Sequence, residues 1–304
     1  MVYASPARPS TPTDAWVWRS DVTGGHAVRL TRGASPVVSP DGRFVAFVRG
    51  QANPAVWSVL VIDLDSRSTL PVFAKGGGVA HGFLSITWSP DSRLLALLDD
   101  QGLTLVDRDG SDVARPFGDT RGVGQPSFSH DSTRITYSDG ASGRIFVASV
   151  VGGTPAAITT GPGDSAPVWG PAGIAFARQS APGAPGDIWI VQPDGGGLRR
   201  LTRTNAGIQP FAFSADGRRL VAQNPATHNG RIWTVDVPTG SARDLTGWVG
   251  DLFPVGVSRD GRSILAGLGC GGVAATTGSI EVVPADGGDA RIVARGPCRA
   301  SWNA

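Results

Sequence analysis

The chain has 304 residues, a mass of 31.3 kDa, 40% hydrophobic residues and a formal net charge of +2. Lys75 is the only lysine and Glu281 the only glutamate, whereas 43 positions are Gly and 23 are Pro. Because Lys, Glu and Met favour helices and Gly and Pro break them, this composition argues against helical bundles and α/β folds. The interspersed Arg and Asp leave no basic stripe for nucleic acid.

The N-terminal residues show no targeting signal. Residues 1–6 have neither the basic nor the apolar region of a signal peptide. No stretch approaches about 18 uninterrupted apolar residues, so the sequence predicts no membrane insertion. We expect a periplasmic or extracellular location if a signal has been removed, and a cytoplasmic one otherwise.

A hairpin turn between two apolar runs recurs along the chain. The first copy, residues 39–43, reads Ser-Pro-Asp-Gly-Arg, and a degenerate copy at residues 169–174 lacks the Asp. Gly supplies a positive φ and Asp bonds to the backbone ahead, so each copy predicts a β-hairpin. A ring of acids for a cation is the alternative, but a repeated turn side chain already explains the spacing. The Asp residues concerned are Asp41, Asp91, Asp131, Asp216 and Asp260.

Each hairpin is followed by two more short strands. Residues 188–191 lead through a Gly-rich turn to residues 198–202, and residues 232–236 lead in the same way to residues 242–246. Each unit therefore has four strands, termed a to d. Four-stranded units at a period near 44 residues are typical of a β-propeller.

The spacing of the units predicts how the ring closes. The apolar residue that ends strand a falls at positions 38, 88, 128, 169, 213, 257 and 302. Residues 1–4 match strand b, and residues 15–18 and 28–31 match strands c and d. We therefore predict one all-β domain over residues 1–304, a seven-bladed β-propeller of four-stranded antiparallel blades. The N- and C-terminal strands together close the last blade. The alternative is six blades with the terminal segments as appendages.

Three short motifs carry a family resemblance. The Ser-Pro-Asp-Gly-Arg turn, Ile-Trp-Ile-Val at residues 188–191 and Arg-Leu-Thr at residues 200–202 together resemble the TolB-type, WD-like bacterial propeller repeat, over essentially the whole chain. Such repeats form the propeller of periplasmic TolB, the gating propeller of prolyl-oligopeptidase-like peptidases, and envelope sensor domains. The resemblance implies a binding or scaffold propeller of the cell envelope, or the gating propeller of a longer peptidase or sensor.

No catalytic motif stands out in the sequence. The chain has no Gly-x-Ser-x-Gly nucleophile elbow, and its only lysine is followed by Gly76 rather than by the Ser or Thr of a phosphate-binding loop. The four His residues are scattered, which does not fit a zinc site. We predict no catalytic residue, cofactor or metal. A glycan-active lyase or hydrolase that uses Asp, His and Arg at the channel mouth is the enzymatic alternative.

The candidate binding residues lie on one face of the predicted ring. The d-to-a and b-to-c connections share the face around the mouth of the axial channel, and polar residues cluster at the strand ends there. A mixed ring of this kind suits a peptide or a glycan, and we expect a monomer that binds a protein or peptide. The residues that enter strand a are His81, Gln125, Asp164, Gln209, Asp251 and Arg299, and those that end strand b are Arg49, Asp99, Arg178 and Asn224.

The two cysteines fall on this same rim. Cys270 follows strand b of one predicted blade, and Cys298 precedes strand a of the next. A disulfide between them is favoured over two separate thiols. Such a bond indicates an oxidising compartment.

Overall fold

The chain forms a seven-bladed propeller in the computed structural model. The structure describes residues 1–6, 15–21, 23–52, 55–76, 85–99, 101–111, 113–114, 123–181, 183–224, 230–246, 252–258, 260–268, 278–295 and 299–301. These ranges contain 28 strands in seven four-stranded antiparallel sheets. None of the described residues forms a helix with the length and apolar character needed to cross a membrane.

The strands follow one another in a regular order. They are β1 (Val2–Pro6), β2 (Ala15–Arg19), β3 (Val28–Arg32), β4 (Ala34–Val38), β5 (Phe44–Ala52), β6 (Ala55–Asp63), β7 (Thr69–Gly76), β8 (Ser85–Trp88), β9 (Leu94–Asp99), β10 (Gly102–Asp107), β11 (Val113–Ala114), β12 (Ser127–Phe128), β13 (Arg134–Asp139), β14 (Arg144–Ser149), β15 (Ala156–Ala157), β16 (Asp164–Gly170), β17 (Gly173–Arg178), β18 (Asp187–Val191), β19 (Arg199–Arg200), β20 (Gln209–Phe213), β21 (Arg219–Asn224), β22 (Arg231–Asp236), β23 (Ala242–Asp244), β24 (Leu252–Val257), β25 (Ser263–Leu268), β26 (Ser279–Pro284), β27 (Arg291–Arg295) and β28 (Arg299–Ser301).

Each sheet is one blade. Blades 1 to 6 each take four consecutive strands from β4 to β27, and blade 7 consists of β28, β1, β2 and β3. In blade 7 the C-terminal strand pairs with the N-terminal one, with Val2 opposite Ser301 and Ala4 opposite Arg299. The Ser301 hydroxyl also accepts a hydrogen bond of 3.1 Å from the backbone N–H of Val38 in blade 1. The predicted seven blades and their closure are confirmed, and the six-bladed alternative is wrong.

The repeated Asp residues hold the a-to-b turns. In the first turn, Ser39 donates to the Asp41 carboxylate at 2.5 Å, and the same carboxylate oxygen accepts from the backbone N–H of Arg43 at 3.0 Å. Gly42 has φ +74°, as the turn requires. In the third turn, hydrogen bonds from Ser129 and Thr133 lower the pKa of Asp131 to about 2. These carboxylates serve their own turns, as the hairpin interpretation predicts.

The core lies between neighbouring blades, in the middle of strands b and c. Ala46 and Val61 of blade 1, for example, pack with Leu95 and Leu97 of blade 2. In blade 4 the Arg-Leu-Thr motif ties the outermost strand to strand c, because the hydroxyl of Thr202 accepts a hydrogen bond of 3.0 Å from the buried backbone N–H of Ile188. Burial of alternate apolar residues against the next blade is the main stabilising force of such a ring.

Candidate functional site

Several of the predicted binding residues lie at strand ends, on one face of the ring. Asp164 and Gln209 begin the first strands of their blades, and Arg178 and Asn224 end the second strands. This face, where the d-to-a and b-to-c connections lie, is called the channel-mouth face below. First strands of neighbouring blades, such as β16 and β20, are in contact, so they line the axis of the ring.

Several of the predicted residues are engaged within their own or the adjacent blade. The Asn224 amide donates to the backbone oxygen of Ala206 at 2.7 Å. Buried Asp99 accepts from the backbone N–H of Gln101 at 2.7 Å. These contacts shape the connections of the face.

The remaining predicted residues lie within a strand, at the start of a strand, just before one, or outside the described part of the chain. Arg49 lies three residues before the end of β5, because β5 and β6 continue to pair as far as Ala52 and Ala55. Its guanidinium donates to the hydroxyl of Thr31 in blade 7 at 2.8 Å. Exposed Gln125 precedes β12, half-buried Gln209 begins β20, and the backbone of Arg299 begins β28. His81, Asp251, Cys270 and Cys298 lie outside the described residues.

Asp164 and Arg178 are the two predicted residues that the structure joins directly. They lie opposite each other in the β16–β17 pair. The Arg178 Nε and Nη2 atoms donate to the two carboxylate oxygens of Asp164, at 2.6 and 2.8 Å. The Asp164 side chain has no exposed surface. A bidentate pair of this kind fixes the guanidinium in one plane.

Two residues that were not predicted from the sequence extend this pair into a row. Asp187, the first residue of β18, lies opposite Arg178, and Arg200 of β19 lies opposite Trp189. Arg200 donates through Nη2 to the Asp187 carboxylate. Residues directly opposite one another project from the same face of a sheet. Acid and base therefore alternate across all four strands of blade 4.

Asp187 is the most heavily hydrogen-bonded carboxylate of the row. It is 4% exposed and accepts from the hydroxyl of Thr202 at 2.9 Å and from the backbone N–H of Thr204 at 2.9 Å. Burial alone would raise the pKa of Asp187. Hydrogen bonds from Arg200, Thr202 and Thr204 outweigh that effect and hold the pKa below its ordinary value. Asp187 is therefore a fixed negative charge at neutral pH.

A pocket of about 280 Å³ opens above this row, on the channel-mouth face. Its floor is Trp189, whose ring centroid lies 4.8 Å from the Arg178 guanidinium carbon. Its walls come from the connection that enters blade 4, from the b-to-c loop of blade 4, and from the connection to blade 5. These walls include Pro162, Gln179, Ser180, Pro185 and Asn205.

A larger cavity, of about 690 Å³, lies on the opposite face between blades 2 and 3. The turn residues Asp91 and Asp131 contribute to its lining, together with exposed Val151. Among the described residues no group of three or more His, Cys, Asp or Glu could hold a metal ion.

The missed residues carried a weak sequence signal. Arg200 belongs to the Arg-Leu-Thr motif, which by itself predicts only the position of strand d. Asp187 precedes the apolar run of strand c, a position filled by Arg231 in blade 5 and Arg144 in blade 3. An acid at a site where other copies carry a base is the difference that could have marked blade 4.

Comparison with known proteins gives the fold and its relatives. No family model matches the sequence, and no curated protein matches it significantly. Among solved structures, TolB from Acinetobacter baumannii is 16% identical with a TM-score of 0.59, over 99% of this chain and 66% of its own. The chain thus spans about two thirds of the length of that protein.

Two other kinds of propeller protein are equally similar in structure. An oligogalacturonate lyase in complex with manganese is 16% identical with a TM-score of 0.65, over 92% of this chain and 84% of its own. The acylaminoacyl peptidase of Pyrococcus horikoshii is 14% identical with a TM-score of 0.67, over 93% of this chain and 48% of its own. At these identities the likeness establishes the fold alone. By its repeats, its blades and its structural relatives, the chain is a TolB-type β-propeller in fold.

Proposed function

We propose that this propeller is a non-catalytic binding protein that docks a protein or peptide on its channel-mouth face. The observation that carries this proposal is the pocket of blade 4, where two ion pairs with buried carboxylates hold charged and polar groups in fixed positions around an open cavity. Ligand sites in proteins are concave and combine apolar walls with a few fixed polar groups. TolB proteins are among the structural relatives, which agrees with a scaffold role in the cell envelope.

A direct binding experiment tests this proposal. Peptides selected from a random displayed library on the immobilised protein should bind the wild type and lose affinity for the Ser180→Trp variant, because the indole fills the pocket from its exposed rim. Ser180→Ala is the control at the same position. Val151→Trp is the control for the opposite face, since Val151 is 92% exposed there. Selected peptides that bind Ser180→Trp as tightly as the wild type would contradict the proposal.

A second candidate is the gating propeller of a longer peptidase. It is favoured by the match of nearly the whole chain to about half of an acylaminoacyl peptidase and of a prolyl endopeptidase. The test is to read the coding frame on both sides of residues 1–304. A hydrolase segment in the same frame favours this candidate, and a frame without one contradicts it.

A further inference from the structure

We propose, on the basis of the peptide-binding function above, that the blade 4 pocket recognises a carboxylate group of the bound peptide. The carboxylate belongs either to an acidic side chain or to the C-terminus. The residues that carry the recognition are Arg178 and Arg200, with Trp189 beneath Arg178.

The two acids of the row are buried and already paired with the arginines, so they are poorly placed to bind a cationic ligand. Both oxygens of Asp164 accept from Arg178. Asp187 accepts from Arg200 through one oxygen, and from Thr202 and Thr204 through the other. Their side chains are 0% and 4% exposed. Asp187 contributes to the pocket lining, but its oxygens are occupied, so the free hydrogen-bonding groups of the row belong to the two arginines.

The two guanidinium groups keep donors for a ligand. Arg178 uses Nε and Nη2 for Asp164, and Arg200 uses Nε for the backbone oxygen of Thr202 and Nη2 for Asp187. Within the described part of the chain, neither Nη1 group donates to a protein acceptor. A guanidinium has five N–H donors, so each arginine has two left at Nη1. The matching ligand group is an acceptor, and an ionised carboxylate gives the stronger, charge-assisted hydrogen bonds.

These donors are fixed before a ligand arrives. The bidentate contact with Asp164 and the stacking on Trp189 hold Arg178, and contacts on both sides hold Arg200. Arginine otherwise loses considerable rotamer freedom on binding. Fixing it in the free protein removes that cost from the binding step. The buried acids thus act as positioning residues for the two bases.

The size and walls of the pocket favour a peptide over an acidic sugar. A volume of about 280 Å³ lies at the lower end of ligand pockets and accommodates about one amino-acid residue. Sugar rings usually require an open aromatic face. Here the guanidinium of Arg178 covers the Trp189 ring at 4.8 Å. Pro162 and Pro185 complete walls that suit a short extended segment.

Small matched probes test the carboxylate itself, independently of any selected peptide. The probes are the α-amide of N-acetylaspartate against that of N-acetylasparagine, and N-acetylglycine against N-acetylglycinamide. Galacturonate, an acidic sugar, is tested separately for the same site. Binding is followed by the indole ¹H–¹⁵N resonance of Trp189, assigned with Trp189→Phe. We expect at least one carboxylate probe to bind about tenfold or more tightly than its amide, as charge-assisted bonds require. The first pair reports an acidic side chain and the second a C-terminus.

Variants link this effect to the arginines. Arg200→Gln removes one Nη1 group and leaves Asp187 its bonds from Thr202 and Thr204, so the blade remains folded. We expect the affinity of this variant for the carboxylate probe to be lower by about tenfold or more. Arg231→Gln is the matched control, because Arg231 forms an exposed ion pair with Asp244 at 2.9 Å in blade 5. It should leave probe affinity unchanged.

The outcomes separate the carboxylate proposal from the binding function. Equal affinity for acid and amide in both pairs, unchanged probe affinity in Arg200→Gln, or tighter binding of galacturonate than of both acids would overturn carboxylate recognition of a peptide. If selected peptides require an open pocket at Ser180 but the carboxylate probes do not bind more tightly than their amides, peptide docking is supported and carboxylate recognition is contradicted. If the carboxylate probes bind but no peptide does, the carboxylate site is supported and peptide docking is contradicted.

Discussion

Asp164 and Arg178 form a closed, two-point ion pair between the first residue of β16 and the last residue of β17. The acid is fully buried and the base only 17% exposed. Removing two charges from water is costly, so the pair is stable only while both partners are present. The same pair orients Arg178 over Trp189 and thereby shapes the pocket.

Breaking this pair from one side should destabilise the protein strongly. We expect Arg178→Gln to lower the free energy of unfolding by about 3 kcal/mol or more, because it leaves Asp164 charged, buried and unpaired. The double variant Asp164→Asn, Arg178→Gln should recover much of the loss. Urea unfolding of the single and double variants measures the coupling.

An exposed pair is the control for that measurement. Arg231 and Asp244 form a contact of 2.9 Å with partly exposed side chains, and such pairs contribute only about 0–1 kcal/mol. A coupling energy for Asp164 and Arg178 no larger than that of the exposed pair would show that the buried pair is not what holds this edge of blade 4.

The carboxylate of Asp187 should make blade 4 sensitive to acid. Its pKa is lower in the folded protein than in the unfolded chain, where it is about 3.9. A group of this kind stabilises the fold above its unfolded pKa, and the contribution is lost as the pH falls through the folded pKa. The loss of stability between about pH 7 and about pH 3 should therefore be smaller in Asp187→Asn than in the wild type.

Asp65→Asn serves as the reference for acid unfolding, because the Asp65 side chain is 79% exposed. Its pH profile should run parallel to that of the wild type. The same parallel profile for Asp187→Asn would contradict a role of the ionised Asp187 carboxylate in stability.

The local turn chemistry was predictable from sequence, and the cross-strand contacts were not. Asp41 and Gly42 specify their hairpin within a few residues, so the repeat, its period and the seven blades follow from the chain alone. Asp164 and Arg178 were predicted as neighbours of the channel mouth. Their pairing depends on the register between β16 and β17, which includes an irregularity between Ser165 and Val168.

Asp187 and Arg200 were missed for a related reason. Whether Asp187 lies opposite Arg178 depends on the length and path of the loop between β17 and β18, and a shift of one residue would move it to the other face of the blade. The repeat supplies the motif that contains Arg200 but not the partner of its side chain. Specific sites arise where one copy departs from the repeat.

A second departure from the repeat links neighbouring blades. Ser92 occupies the turn position that is Gly42 in blade 1, with φ +61°. It is 1% exposed, and its hydroxyl accepts a hydrogen bond of 3.1 Å from the backbone N–H of Asp41 in blade 1. The bond between blades thus offsets the strain of a positive φ at a residue with a Cβ.

Substitutions at Ser92 should separate the two effects. Ser92→Ala loses the acceptor and keeps the strained φ, and we expect a loss of about 1–2 kcal/mol in the free energy of unfolding. Ser92→Gly loses the same bond but adopts the positive φ freely, so it should cost less than Ser92→Ala in thermal or urea unfolding. A larger loss of unfolding free energy for Ser92→Gly than for Ser92→Ala would contradict the assignment of strain to the positive φ.

The disulfide predicted between Cys270 and Cys298 concerns residues outside the described ranges and is open to a direct chemical test. We expect the protein, isolated without reductant, to resist alkylation and to gain the mass of two hydrogen atoms on reduction. Cys270→Ser should then expose one alkylatable thiol at Cys298. Two reactive thiols in the unreduced wild type would contradict the bond and the oxidising compartment that it implies.

The most direct test of peptide docking at blade 4 is site-specific photo-crosslinking of a selected peptide. A benzophenone amino acid is placed at Ser180, on the rim of the pocket, or at Val151, on the opposite face. We predict a crosslink from position 180, next to an acidic residue or the C-terminus of the peptide, and none from position 151. A crosslink from position 151 alone, or equal yields from both positions, would contradict docking on the channel-mouth face.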